Sequence, residues 1–139
     1  MKKSIRRQRF TLIEVVVAIV IVVTLASVAA PLYLNYIKKA NVGAAKTQIK
    51  LIEDALTGYR LDIGSYPTGD AGLQSLVENS DNNEKWNGPY IKPAVPKDPW
   101  GNEYVYTCPG EHGDYDLVCY GADGQPGGEG DNADITNWE

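Results

Sequence analysis

The hydrophobic positions change rhythm twice along the chain. From Phe10 to Ala30, only Thr11, Glu14, Thr24 and Ser27 interrupt 21 residues of apolar sequence. As a helix this segment spans roughly 31 Å, about one hydrocarbon core. A secretory signal peptide has an apolar region of about 7–15 residues. This one is longer, and its helical pattern continues past Pro31, whose ring removes a backbone hydrogen bond and should loosen the helix locally. Beyond it, Val42, Ala45, Ile49, Ile52, Leu56, Tyr59 and Ile63 recur at spacings of three and four, which makes one apolar stripe on a helix. Lys46, Lys50, Glu53, Asp54 and Arg60 occupy the other positions. The pattern predicts one long helix from about Phe10 to Asp62, membrane-spanning over about 10–30, with Gly64 as its stop.

After residue 63 the rhythm breaks up. Residues 64–139 hold seven of the eight prolines and most of the glycines. Gly72 to Asn79 reads as a short helix. Asp98-Pro99-Trp100-Gly101 has the residue order of a type I turn. Tyr104–Thr107 and Tyr115–Cys119 read as two strands joined by a hairpin loop over Cys108–Asp114. The fold class expected is α+β: a long N-terminal helix, apolar then amphipathic, packed on a small antiparallel sheet with a long acidic C-terminal loop. The organisation expected is a basic leader at 1–9, the helix at 10–63 and a globular part at 64–139.

Charge adds direction. Lys2, Lys3, Arg6, Arg7 and Arg9 precede the span with no acid among them, whereas residues 98–139 carry ten acids and no Lys or Arg. The positive-inside rule puts residues 1–9 in the cytoplasm and the rest outside, which in a bacterium is the periplasm. The acidic tail argues against nucleic acid as a partner, since it could not neutralise phosphates. Catalytic chemistry is sparse. The only histidine, His112, lies among glycines in the hairpin loop and reads as a surface residue. No nucleophile-elbow, phosphate-loop or zinc-helix motif occurs. The chain does not read as an enzyme.

Phe10-Thr11-Leu12-Ile13-Glu14 behind a basic leader resembles the processing signal of type IV pilins and related filament subunits. "YRLDIGSYPTGDAGLQSLV", "GPYIKPAVPKDPWGNEYVY", "PGEHGDYDLVCYGADGQPGGEG" and "ADITNW" narrow that resemblance to the major pseudopilins of the type II secretion system. The resemblance covers nearly the whole chain from Phe10. It implies a homo-oligomeric helical filament, the periplasmic pseudopilus, which works with minor pseudopilins and inner-membrane assembly components to export folded proteins. An adhesive or motility pilin is the runner-up. A membrane-anchored periplasmic binding module, which would stay unassembled, is a third reading.

Several site expectations follow from the resemblance. Prepilin peptidase would cut between Arg9 and Phe10, and Phe10 would be N-methylated. Arg9 departs from the glycine the family places there, so the leader is retained, or is cut by a peptidase that accepts Arg9, or Arg9 is itself an alteration. Glu14, an acid in an apolar helix, would pair with the free amine of Phe10 in a neighbouring subunit or its own; snorkelling to the interface is the plainer reading. The major pseudopilins bind one Ca²⁺ in the loop corresponding to residues 120–134. Carried over, Asp123, Asp131 and Asp134 would supply side-chain oxygens, and Tyr120 and Gln125 backbone oxygens. The metal should order that loop and hold Trp138 near it. The plainer reading of so acidic and glycine-rich a stretch is a solvated loop.

Cys108 and Cys119 end the two expected strands. An oxidising compartment favours a disulfide between them. Closing a loop of about a dozen residues would contribute roughly 3 kcal/mol in the chain-entropy treatment. Two free buried thiols are the alternative.

Overall fold

A computed structural model describes residues 10–139. The basic leader 1–9, and with it the Arg9 side of the expected cleavage position, lies outside the described residues. The elements are a helix α1 (Leu12–Ile63), a 3-10 turn (Gly72–Leu76), strands β1 (Val105–Thr107) and β2 (Asp116–Cys119), a second 3-10 turn (Gly130–Asn132) and strand β3 (Ile135–Thr136). The strands form one antiparallel sheet in the order β1-β2-β3. The expected helix is present to within two residues, and its helical assignment runs through Pro31. The expected helix over Gly72–Asn79 is a shorter 3-10 turn.

By packing, the chain divides inside α1: one unit ends at Ile37 and the other is Lys38–Glu139. In the first, every large apolar side chain from Phe10 to Tyr36 is exposed, by 46 to 83 %. Nothing within that unit covers them, so an external apolar medium or other chains must. The segment is long and apolar enough to cross a membrane.

The second unit buries the amphipathic stripe. Ala45, Ile49, Ile52, Ala55, Leu56 and Tyr59 of α1 pack with Leu76, Tyr104, Leu117, Cys119 and Ile135. Ile52, Leu56, Leu76 and Leu117 are fully buried; burying such a side chain contributes about 1.5–3 kcal/mol, an upper estimate. At the end of α1, Gly64 has φ +100° and its N–H donates to the Arg60 carbonyl (2.8 Å). That left-handed position is one glycine adopts without cost. Tyr90 anchors the following loop. Its hydroxyl donates to Asp62 (2.7 Å), its N–H donates to the Leu76 carbonyl (2.8 Å), and its ring meets Tyr59 and Trp86 edge-on.

The Asp98 turn forms as expected, with the Gly101 N–H donating to the Asp98 carbonyl (3.0 Å). Asp98 is itself buried. Its Oδ1 accepts the N–H groups of Trp100 (3.0 Å) and Asn102 (2.8 Å). Those bonds fix the chain as it enters β1.

The disulfide expectation is corrected by the hairpin register. Val105 pairs with Val118, Tyr106 with Leu117 and Thr107 with Asp116. Continued by one residue at each end, the ladder sets Cys119 opposite Tyr104 and Cys108 opposite Tyr115. The cysteines are therefore at opposite ends of the hairpin, four ladder positions apart, or on the order of 13 Å at ~3.3 Å per residue. A disulfide needs Cα atoms within about 7 Å. Both are free thiols: Cys119 is buried and donates to Asp98 Oδ2 (3.3 Å), and Cys108 is half-buried and donates to the Asp114 carbonyl (3.4 Å).

Candidate assembly and cation-binding sites

At the start of α1, Thr11 and Glu14 close a reciprocal cap. Glu14 Oε2 accepts from the Thr11 N–H (2.8 Å) and from Thr11 Oγ1 (3.0 Å), while Thr11 Oγ1 accepts from the Glu14 N–H (3.3 Å). This is a capping box, which satisfies helix N–H groups that otherwise lack partners. The signal was present in the sequence as Thr-x-x-Glu before an apolar run. Phe10 precedes the cap and is 80 % exposed.

The acidic loop runs from Tyr120 to Asp134. Gly121, Gly124, Gly127, Gly128 and Gly130 all have positive φ. Two of these positions are closely hemmed: a Cβ on Gly121 would come within 2.8 Å of the Asp131 carbonyl oxygen, and one on Gly128 within 2.6 Å of that of Asn132. The loop closes on itself through the Ala122 N–H and the Asp131 carbonyl (2.9 Å), and Asn102 Nδ2 donates to the Gly121 carbonyl (3.4 Å).

The three candidate carboxylates are engaged differently. Asp123 Oδ1 accepts from the Gln125 N–H (3.1 Å). Asp131 Oδ2 lies 2.6 Å from Lys38 Nζ. Asp134 Oδ2 accepts from the Gly127 N–H (2.9 Å), whereas its Oδ1 is buried with no hydrogen-bond partner. No group of three acidic, histidine or cysteine side chains converges at a common point among the described residues. The donors nevertheless suit calcium in kind, being hard carboxylate and carbonyl oxygens. The partnerless Asp134 Oδ1 is the local observation that favours a cation, because a buried acceptor without a donor is costly.

In the hairpin loop, His112 is more than a surface residue. Its Nδ1 lies 3.0 Å from Asp116 Oδ2, and its ring stacks on Trp138 with centroids 4.0 Å apart and planes 6° apart. Burial opposes ionisation of Asp116. The hydrogen bond with His112 and the N–H groups of Glu111 and His112 outweigh it and hold the carboxyl below its ordinary value. Asn137 extends this C-terminal attachment: its N–H donates to the Leu117 carbonyl (3.1 Å) and its Oδ1 accepts from the Leu117 N–H (2.8 Å). Sequence alone did not disclose the stack, since Trp138 and His112 lie 26 residues apart with no shared motif.

Comparison with known proteins bears on the whole chain. A family profile described as "Type II secretion system (T2SS), protein G" matches residues 32–138. The chain is 49 % identical over 141 residues to type II secretion system core protein G of Vibrio cholerae, covering 99 % of this chain and 96 % of that protein. It is 44 % identical over 143 residues to the core protein G of Escherichia coli K12, with 99 % and 95 % covered. It is 42 % identical over 139 residues to that of Pseudomonas aeruginosa, with 96 % and 98 % covered. The crystal structure of the major pseudopilin from the type 2 secretion system of enterohaemorrhagic E. coli is similar at a TM-score of 0.61 and 35 % identity, covering 76 % of this chain and 92 % of that one.

Proposed function

The chain belongs to the protein G family of the type II secretion system, and from that premise we infer how its parts serve a pseudopilus. It is a major pseudopilin, a structural subunit of the secretion apparatus and not a motility or adhesion pilin. The observation that carries the inference is the unburied apolar half of α1. Between Phe10 and Tyr36 the large apolar side chains have no cover within their own unit. Before assembly, the inner membrane covers them, with the unit Lys38–Glu139 in the periplasm. After assembly, the same segments of other subunits do, as a homo-oligomeric helical filament. Minor pseudopilins and inner-membrane components start and drive that exchange.

Prepilin peptidase removes residues 1–9 by cutting between Arg9 and Phe10, and Phe10 is then N-methylated. Glu14 pairs with the Phe10 amine and so fixes subunit register. A charge left alone in an apolar filament core is the expensive outcome. One Ca²⁺ binds the acidic loop through Asp123, Asp131 and Asp134, with the carbonyls of Tyr120 and Gln125. The ion supplies charge neutralisation that the loop's own sequence lacks.

Two measurements test these statements. Electron microscopy after overexpression should show filaments, and their absence with intact protein in the membrane would remove the assembly reading. Intact-mass spectrometry of the membrane fraction should give a chain beginning at Phe10. A mass that retains residues 1–9 would place cleavage, methylation and the Phe10 amine pair in error together.

A further inference from the structure

The acidic loop carries its own counter-ion, supplied from another element. Between Asp98 and Glu139 there is no Lys or Arg, so any cation against Asp123, Glu129, Asp131 and Asp134 must come from elsewhere. Lys38, in α1 and 93 residues earlier, supplies one. Its Nζ lies 2.6 Å from Asp131 Oδ2, with the Asp131 side chain 31 % exposed and that of Lys38 53 %. No other Lys or Arg contacts this loop's carboxylates among the described residues. The Asp131 backbone is held separately, through its carbonyl and the Ala122 N–H. Its side chain can therefore change partner while the loop backbone stays closed.

We propose that Lys38 is an internal counter-ion that competes with calcium for Asp131, so that metal binding releases Lys38 from the loop. The inference rests on the calcium reading above. Calcium binds oxygen at about 2.3–2.6 Å. A dication on either oxygen of the Asp131 carboxylate and an ammonium 2.6 Å from Oδ2 would stand within roughly 5–7 Å of each other, where like charges repel. The two cations therefore exchange at Asp131. The loop has a latched state closed by Lys38 and a metal state in which that ammonium is free.

The exchange predicts a direction. Breaking an exposed ion pair on metal binding costs affinity, so removing Lys38 should tighten calcium binding. The factor is about two- to fivefold, that of a surface pair. Removing any nearby positive charge also favours a cation, and Lys39 controls for this: it is adjacent, has the same charge and makes no ion pair among the described residues.

Calcium affinity is measured by titration calorimetry on the full chain in detergent micelles, for the wild type, Lys38→Met, Lys39→Met, Asp131→Asn and the Lys38→Met/Asp131→Asn double variant. Tighter binding in Lys38→Met, a clearly smaller change in Lys39→Met, and no Lys38 effect once Asp131 is Asn support the exchange. Equal or weaker binding in Lys38→Met, or an equal gain in Lys39→Met, overturns it while leaving the calcium reading intact. A wild type with no calcium-dependent heat overturns both. A readout on the unaltered chain does not depend on the variants: amine labelling followed by mass mapping should show Lys38 becoming more reactive with calcium and Lys39 unchanged. Calcium-independent labelling of Lys38 counts against release.

Discussion

Asp98→Ala should be among the most damaging single substitutions in the unit Lys38–Glu139, although Asp98 touches no candidate ligand. The Asp98 carboxylate accepts three hydrogen bonds, from the N–H groups of Trp100 and Asn102 and from the Cys119 thiol, and the residue is only 5 % exposed. Alanine leaves all three donors without that partner. A buried donor left unsatisfied costs about 1–3 kcal/mol. The two N–H groups are only part-buried and the thiol is a weak donor, so the sum falls near 2–4 kcal/mol. For a unit of this size each kcal/mol moves the melting temperature by roughly 4–8 °C. Near-ultraviolet circular dichroism should therefore show a loss of about 8–30 °C. Asp98→Asn keeps an oxygen for the two N–H groups and should lose less than half as much. The effect should also reach the acidic loop, because the turn positions Asn102, whose amide holds the Gly121 carbonyl (3.4 Å). Calcium affinity should fall in Asp98→Ala even well below its melting temperature. A melting loss within a few degrees of zero, or an Asn variant as damaged as the Ala one, would refute the hydrogen-bond account.

Other outcomes are open to direct measurement. Non-reducing mass mapping should find no Cys108–Cys119 linkage. Cys108 should alkylate in the native protein and Cys119 only after unfolding, since burial pushes the Cys119 thiol up to about 11. Calcium should raise the melting temperature in proportion to the logarithm of its concentration, magnesium should substitute poorly, and Asp134→Ala should abolish the rise; coincident curves with and without calcium would leave the loop a solvated surface. The Asp116 carboxyl is held below its ordinary value of 3.8, so the stability it adds is present above that pH and is lost as pH falls through the lower folded value. Asp116→Asn should flatten that part of the acid-unfolding profile, and an unchanged profile counts against the His112 contact. Glu14→Ala should insert in the membrane but assemble poorly. Glu14→Gln, which keeps a cap acceptor, should assemble as poorly as Ala if the charge is what matters, and wild-type filament yield from Gln would remove the charge-pair role.

The parts of this fold that were legible in the sequence are those with local periodicity. The stripe from Val42 to Ile63 specified both the helix and its buried face, and five of the six core residues of α1 fall on it, Ala55 being the exception. The two longer strands were legible from their β-branched and aromatic residues. Strand β3 was not, because it has two residues and only Ile135 among them is apolar. It is held by the ladder to β2, not by its own pattern. The cysteine error has the same origin. Strand ends can be read locally, but pairing depends on register, and the seven residues Cys108–Asp114 between the strands did not specify it. The acidic loop was visible as composition, whereas the Lys38 contact and the His112–Trp138 stack depend on tertiary placement that no local pattern encodes.

Glu14 shows how a local rule and the proposed assembly role fit on one side chain. A carboxylate has two oxygens and about four lone-pair sites. Both Thr11 donors fall on Oε2, and no hydrogen bond among the described residues uses Oε1. The cap therefore spends half of the group's capacity. It also suits this helix, whose first N–H groups open a segment long and apolar enough to cross a membrane, where no water would satisfy them. The negative charge then sits in the first turn, where the helix dipole favours it, beside Phe10, with Oε1 left over for a cation. The capping geometry holds the charge in place and leaves one oxygen for the proposed pair with a Phe10 amine. The cap and the proposed pair would use different atoms of one residue, so neither would displace the other. Glutamine retains the first and loses the second.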